Sequence, residues 1–197
     1  MKEIFSAFGS EVFRPLVTIV IPGAISICCW FVVLMQRFVS MRELASRNHA
    51  ETAVLLAIAA LAAGLIVEDI GSRIESSVYD SLLCKKAGFV SHRDEWNKYL
   101  RVAFKLEPIG QHYLRTILLR FKFELGTSIG LLLSAPAFFL TNLSPRTAAV
   151  SCVACVVAAS YALAVEARDS HQVLSEVRRE ILKGVLIFGA EDQAAND

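Results

Sequence analysis

The sequence has no excess of basic charge and no arm or stripe of Lys and Arg. Its 20 Lys and Arg residues almost balance its 19 Asp and Glu residues, which leaves a formal net charge of +1. Nucleic-acid-binding proteins usually carry a basic patch on one face or along one helix. The balance of charge therefore predicts no nucleic-acid partner.

Ionisable residues are missing from four long stretches of the chain. Asp, Glu, Lys, Arg and His are all absent from residues 15–36, 52–67, 125–145 and 147–165. About 20 apolar residues in a helix cross a hydrocarbon core of about 30 Å, and three of the stretches reach that length. We interpret the shorter stretch, 52–67, as a span whose ends lie near the lipid headgroups. The alternative is a buried helix of a water-soluble domain.

The same absences argue against several functions. Proton relays, ion-coupled transporters and voltage sensors place ionisable residues at membrane depth, and a membrane metalloprotease needs a ligand set such as H-E-x-x-H. The four stretches contain neither pattern. The lone C-x-x-C of Cys152 and Cys155 lies in an apolar stretch without further Cys or His in register, so we interpret both as small packing residues. We therefore predict no catalytic residue, no metal and no cofactor.

Lys and Arg are distributed unevenly among the segments that flank the four stretches. The leader, the segment between the second and third stretches, and the C-terminal tail together hold 16 of them, whereas the two other connections hold 4. The positive-inside rule assigns segments rich in Lys and Arg to the cytoplasm. The sequence therefore predicts that both termini and residues 68–124 are cytoplasmic, in a bacterial inner (cytoplasmic) membrane.

These boundaries predict an all-α polytopic membrane protein with four transmembrane helices and helical cytoplasmic extensions. The predicted segments are an amphipathic interfacial leader at 1–14, transmembrane helices 1 and 2 at 15–67, a cytoplasmic helical segment at 68–124, transmembrane helices 3 and 4 at 125–165, and a cytoplasmic C-terminal helix with a disordered tail at 166–197. We also expect a short external loop at 37–51. Proline should bend two of the spans, at Pro22-Gly23 and at Pro136.

Small residues recur at helical spacing in three of the spans. In a bilayer, such residues let two helix backbones approach closely and gain dispersion contacts. They predict either packing within a four-helix bundle or a face that joins neighbouring protomers, and we expect a homo-oligomer. The candidate packing or oligomerisation residues are Ala57, Ala60, Gly64, Gly126, Gly130, Ser134, Ser151 and Cys155.

Charged and polar residues collect where the second and third spans end. Glu68, Glu75 and Tyr79 follow the second span, and Arg115 and Arg120 precede the third. One interpretation is a set of ion pairs, such as Glu75 with Arg120, that joins two adjacent helices. The other is a cytoplasmic polar surface that senses a ligand or binds a soluble partner protein.

Two runs of sequence, GSRIESSVYD and EWNKYLRVAFKLEPIGQHYLRTILLRFKFEL, carry a resemblance that covers residues 60–135. The chain resembles the small multi-span bacterial membrane effectors that accompany anti-phage defence systems. The resemblance implies an oligomer that disturbs the membrane when it is triggered. It rests on no diagnostic motif and carries over no functional residue.

Three functions are consistent with this pattern. The first is a self-associating, non-enzymatic effector or pore former that is regulated through its cytoplasmic helices. The second is a membrane anchor or scaffold for a soluble partner protein. The third is an enzyme at the membrane surface that uses His112, Glu107 or the region of Glu75. The missing catalytic patterns and the small-residue faces favour the first.

Overall fold

The computed structural model describes the backbone of residues 13–82, 97, 109–141 and 146–194, and the side chains of 17–82, 97, 113–141 and 146–182. The described chain is almost entirely helical, which confirms the predicted all-α class. The predicted leader at 1–14 falls almost wholly outside these residues. So does most of the segment between 83 and 108, including His92 and Glu107.

Six α-helices and one π-helical turn make up the described chain. Their bounds are α1 Phe13–Arg37, α2 Val39–Arg47, α3 His49–Ile74, the π-helical turn Glu75–Tyr79, α4 Ile109–Ser134, α5 Ala137–Leu140 and α6 Arg146–Ala194.

Four of the described helical segments are long and apolar enough to cross a membrane. They are Val17–Arg37, His49–Leu82, Tyr113–Leu140 and Arg146–Leu182, and each contains most or all of one charge-free stretch. The second segment is far longer than the charge-free stretch at 52–67 that it contains. It continues through the π-helical turn to Leu82.

Three features of the helices differ from the prediction. The predicted loop at 37–51 contains α2, which is separated from α1 by Phe38 and from α3 by Asn48, both with non-helical backbone angles. Helix α6 extends to Ala194, past Ala190, where the composition predicts disorder. Pro136 does not merely bend the third span: α4 ends at Ser134 and the short α5 follows at Ala137, since proline has no N–H to continue the helix.

The chain divides into two compact units. Unit 1 comprises Met1–Arg73 and Lys122–Ala167, and unit 2 comprises Ile74–Phe121 and Arg168–Asp197. The units end at Arg73, Phe121 and Ala167, whereas the predicted segment boundaries are at 67, 124 and 165. Unit 1 therefore holds the charge-free stretches, and unit 2 holds most of the segments predicted to be cytoplasmic.

Helix α4 is the most enclosed helix of unit 1. Every residue from Glu124 to Gly130 is buried, whereas a helix on the surface of a bundle buries only one stripe. By contrast, α3 exposes large apolar side chains along much of its length, from Val54 to Ile66. This part of α4 is therefore surrounded by its neighbours, and α3 presents an apolar outer surface.

Unit 2 has a separate apolar core. Leu114 and Ile117 of α4 are buried with Leu174 of α6, and Leu118, Val177 and Ile181 pack against them. These residues recur every three or four positions on each helix, as expected for two amphipathic helices that bury facing stripes.

Candidate functional site

Helices α1 and α3 make a close backbone contact in unit 1. A Cβ atom added at Gly23 would collide with the backbone carbonyl of Ala60, and one added at Gly64 would collide with the carbonyl of Ile19. Both helices therefore need glycine at the point of contact. The sequence identified Ala60 and Gly64 as candidate packing residues but assigned Gly23 only to a bend with Pro22.

Helix α4 meets α1 at the same level. A Cβ atom at Gly130 would lie 2.6 Å from the carbonyl oxygen of Pro22, and one at Gly126 would lie 3.2 Å from the Pro22 ring. Pro22 is itself almost fully buried. Gly126 and Gly130 of α4 thus pack against Pro22 of α1. Helices α1, α3 and α4 therefore meet at the segment around Pro22 and Gly23.

Ser134 occupies the next turn of α4 and is also buried. Its hydroxyl donates to the carbonyl of Leu131 at 2.8 Å. Trp30 on α1 donates its indole N–H to the carbonyl of Leu133 at 2.9 Å. The last carbonyls of a helix have no partner within it, and this indole N–H satisfies one of them beside the Pro136 break.

Two serines that the sequence analysis did not select join α4 to α6. The Ser128 hydroxyl donates to the carbonyl of Ser160 at 2.9 Å, and the Ser160 hydroxyl donates to the carbonyl of Ser128 at 2.9 Å. Both side chains are buried, with their oxygens 3.0 Å apart. Ser128 lies in the turn between Gly126 and Gly130, so the small-residue pattern could have indicated it. The sequence does not indicate that its partner is a serine 32 residues away.

The other small residues have no such contacts. Ala57, Ser151 and Cys155 are all exposed. The structure therefore separates the predicted packing residues into two groups. Ala60, Gly64, Gly126, Gly130 and Ser134 are buried within unit 1, whereas Ala57, Ser151 and Cys155 lie on its surface.

Unit 2 contains a cluster of polar and aromatic side chains, here called the His171 cluster: Tyr79, Asp80, Phe121 and His171. His171 is only 1% exposed, and its Nε2 lies 3.4 Å from Oδ1 of Asp80. The Phe121 ring is fully buried, 5.2 Å from the His171 ring and 6.0 Å from the Tyr79 ring in an edge-to-face arrangement. Such ring pairs add stability beyond the area they bury.

Tyr79 closes the π-helical turn, and Asp80 follows it directly. A π-helical turn inserts one extra residue into a helix and often marks a functional site. Tyr79 was predicted to belong to a polar surface, but its side chain is buried in the His171 cluster. The two rings that contact it, Phe121 and His171, belong to helices much further along the chain.

Helix α6 supplies further buried polar groups to unit 2. Ser175 lies one turn after His171 and donates to the carbonyl of Gln172 at 2.8 Å, and Arg178 is fully buried. Burying a guanidinium group costs several kcal/mol (roughly, before any compensation by partners). The interior of unit 2 therefore contains polar and charged side chains whose burial costs free energy, and it is not purely apolar.

The remaining residues of the predicted polar surface fall in both units. Glu68 is exposed in unit 1, and Arg115 and Arg120 are exposed in unit 2, where Glu75 is half-buried. Within unit 1, Lys122 donates to the hydroxyl of Ser72 at 3.2 Å and so links α4 to α3. Asp80, a possible partner of Arg115 by sequence position, lies beside His171.

In the part of the chain that the structure describes, no group of three or more His, Cys, Asp or Glu side chains is arranged to hold a metal ion. No family model matches the chain, and no curated protein or solved structure is similar enough to match it. The geometry of this chain alone therefore carries the functional argument.

Proposed function

We propose that this chain is an integral protein of a bacterial inner membrane that self-associates through α6 and acts as a non-enzymatic effector or pore former. Its termini and unit 2 are cytoplasmic in this proposal, and the helices of unit 2 regulate it. The four apolar helices support insertion, and the distribution of Lys and Arg supports the orientation.

The observation that carries self-association is an exposed face of α6, between Ser151 and Ala162, on which the side chains are all small; the large exposed side chains of α6, such as Tyr161 and Val165, border it. Its members recur at helical spacing on the side of α6 opposite to Ser160, whose hydroxyl joins α6 to α4. They are Ser151, Ala154, Cys155, Ala158, Ala159 and Ala162. One face of α6 thus packs within the protomer, and the opposite face exposes small side chains.

The exposed surfaces of α1 and α3 carry mostly large apolar side chains, such as Val32 and Leu34 on α1 and Ile58, Leu65 and Ile66 on α3, although small residues such as Ala57 are also exposed there. Large side chains suit contact with lipid tails, whereas small residues allow a second helix to approach closely. The glycines of α3 and α4 are already used in contacts inside the protomer. The face of α6 is therefore the one best suited to another copy of the chain.

Cys155 allows a direct test of this proposal in native membranes. In a variant whose other cysteines are replaced by Ala, Cys155 should form a disulfide-linked dimer under mild oxidation. The matched control places the cysteine at Val157 in the same background, since Val157 is also exposed on α6 but lies about 160° away around a helix of 3.6 residues per turn. Equal cross-linking at both positions, or at neither, would contradict an α6 interface.

The effector activity needs a separate measurement. Induced expression should depolarise the bacterial membrane, and Ala158→Leu, which places a bulky side chain on the small face, should weaken the depolarisation. Leu at Val157 is the control and should leave it unchanged. An unaltered membrane potential with a cross-linked Cys155 dimer would instead support the anchor or scaffold function.

A further inference from the structure

Helix α2 joins two of the apolar helices and exposes an apolar face of its own. On a helix of 3.6 residues per turn, Met41, Leu44 and Ala45 share one side with Phe38, which precedes the helix. Ser40, Arg42, Glu43, Ser46 and Arg47 occupy the other side, together with Val39. Phe38 is 53% exposed and no residue of α2 is buried. The helix is thus amphipathic, and its apolar side is only partly covered: Phe38 and Leu44 are exposed, whereas Met41 and Ala45 are half-buried.

The chain holds α2 close to the ends of α1 and α3. One residue, Phe38, separates it from α1, and one residue, Asn48, separates it from α3. Because both neighbours are candidate membrane spans, a nine-residue helix tethered at both ends stays at the level where those spans end. The surface available there is the boundary between headgroups and acyl chains.

The backbone of this segment is suited to that boundary. Both helix breaks are bridged by hydrogen bonds: Phe38 N–H donates to the carbonyl of Leu34, Arg42 N–H to Phe38, Asn48 N–H to Leu44, and Thr52 N–H to Asn48. Backbone groups that enter a lipid environment must be satisfied internally. These bonds reduce the number of backbone groups that the two helix breaks leave unpaired.

The charges on the polar side fit a phospholipid surface. Arg37, the last residue of α1, and Arg42 and Arg47 on the polar side of α2 are all exposed, and they outnumber the nearby acids Glu43 and Glu51. Long arginine side chains can place their charged ends among phosphate groups while their stems cover apolar surface. Amphipathic helices with this arrangement lie in the membrane plane with the apolar face about 5–10 Å into the headgroup boundary.

We infer that α2 is an interfacial helix that lies on the membrane surface, with Phe38, Met41, Leu44 and Ala45 inserted among the lipids and its arginines at the phosphates. This inference rests on the proposed membrane insertion of α1 and α3. It adds a lipid-binding element between them that anchors the pair at the surface opposite to the proposed cytoplasmic side.

The test measures the depth of single labelled cysteines in vesicles of phosphatidylethanolamine and phosphatidylglycerol. The full chain, with its native cysteines replaced by Ala, carries one fluorescent label at Leu44→Cys, Ser46→Cys or Val32→Cys, and lipids brominated in their acyl chains quench it. Leu44 and Ser46 are both exposed but lie on opposite sides of α2, and Val32 is an exposed residue of α1. We expect quenching at positions 32 and 44 to exceed that at 46 by at least about twofold.

The three labels separate the failure of this inference from the failure of the proposed function. Quenching at position 32 without quenching at 44 would overturn the inference while leaving insertion of α1 intact. Equal quenching at 44 and 46 would overturn the amphipathic orientation. A label at 32 that is not quenched would overturn insertion itself, and the inference with it. Disulfide formation at position 44, in place of lipid contact, would assign the apolar face to a second copy and also overturn the inference.

Discussion

Gly23, Gly64 and Gly130 set the distance between three helices of unit 1. At each of them an added Cβ atom would meet backbone of the neighbouring helix, which cannot move aside as a flexible side chain can. The sequence could identify Gly64, Gly126 and Gly130 because they follow a small-residue spacing. It could not identify the contact of Gly23, since the adjacent proline offered a different explanation for a glycine there.

Two glycines of α3 make a matched pair for measuring this effect. Gly64→Ala should lower the free energy of unfolding by more than about 2 kcal/mol, because the new methyl group meets the Ile19 carbonyl. Gly71→Ala should be neutral or stabilise by up to about 1 kcal/mol, because its Cβ would lie 3.6 Å from Ile129 and Leu125 and alanine favours helix. Denaturant titration of the purified protein in mixed micelles measures both. Equal effects would mean that α1 and α3 are not in backbone contact.

Ser128 and Ser160 should act as one unit. Removing either hydroxyl also deprives the other serine's carbonyl of its donor, so the two single substitutions by Ala and their combination should show a coupling energy of about 0.5–2 kcal/mol. Thr127→Val is the control: among the described residues the Thr127 hydroxyl is buried without a hydrogen-bond partner. Its replacement should not destabilise the protein. Strictly additive serine effects would contradict the reciprocal bonds.

At the level of secondary elements, unit 2 depends on the contacts between the π-helical turn and α6. Tyr79 and Asp80 reach the His171 cluster at the end of that turn. The sequence predicted a helix through this region because no breaker residue interrupts it. A π-helical turn has no composition signal of its own, and the burial of Tyr79 depends on residues of α4 and α6.

Loss of the His171 side chain should loosen this end of the helix. His171→Ala leaves a cavity beside Phe121 and Tyr79, and large-to-small substitutions at buried sites cost about 2–5 kcal/mol. Hydrogen exchange of residues 75–82 should become at least tenfold faster, which corresponds to about 1.4 kcal/mol. Val173→Ala, two residues away on the exposed side of α6, should leave it unchanged. Unaltered exchange in His171→Ala would show that the cluster does not stabilise the turn.

The predictability of whole elements follows from their length and polarity. The four long apolar helices could be predicted because runs of about 20 consecutive apolar residues are typical of membrane-spanning helices. Helix α2 could not, since nine mostly polar residues between two spans also fit an ordinary loop. The break at Pro136 was partly predictable: proline indicated a disturbance, but whether a helix bends or ends there depends on partners such as Trp30.

At the scale of the whole chain, charge and hydropathy predict more than any local motif. The four charge-free stretches fall in unit 1, and the segments rich in Lys and Arg fall mostly in unit 2. Function is less predictable, because a surface for self-association and a surface for lipid differ only in the size of their apolar side chains. The exposed face of α6 became distinguishable only when the structure showed which small residues the protomer already uses.

Thiol labelling in intact cells tests the four-span arrangement most directly. Single cysteines at Asn48 and Asn142, in a chain whose native cysteines are replaced by Ala, should react with a membrane-impermeant maleimide added to intact spheroplasts. Single cysteines at Ser6, Ser77 and Asp197 should react only after permeabilisation. Labelling of Ser77 together with Asn48 and Asn142 before permeabilisation, or of no position before it, would contradict a chain that crosses the membrane four times with both termini in the cytoplasm.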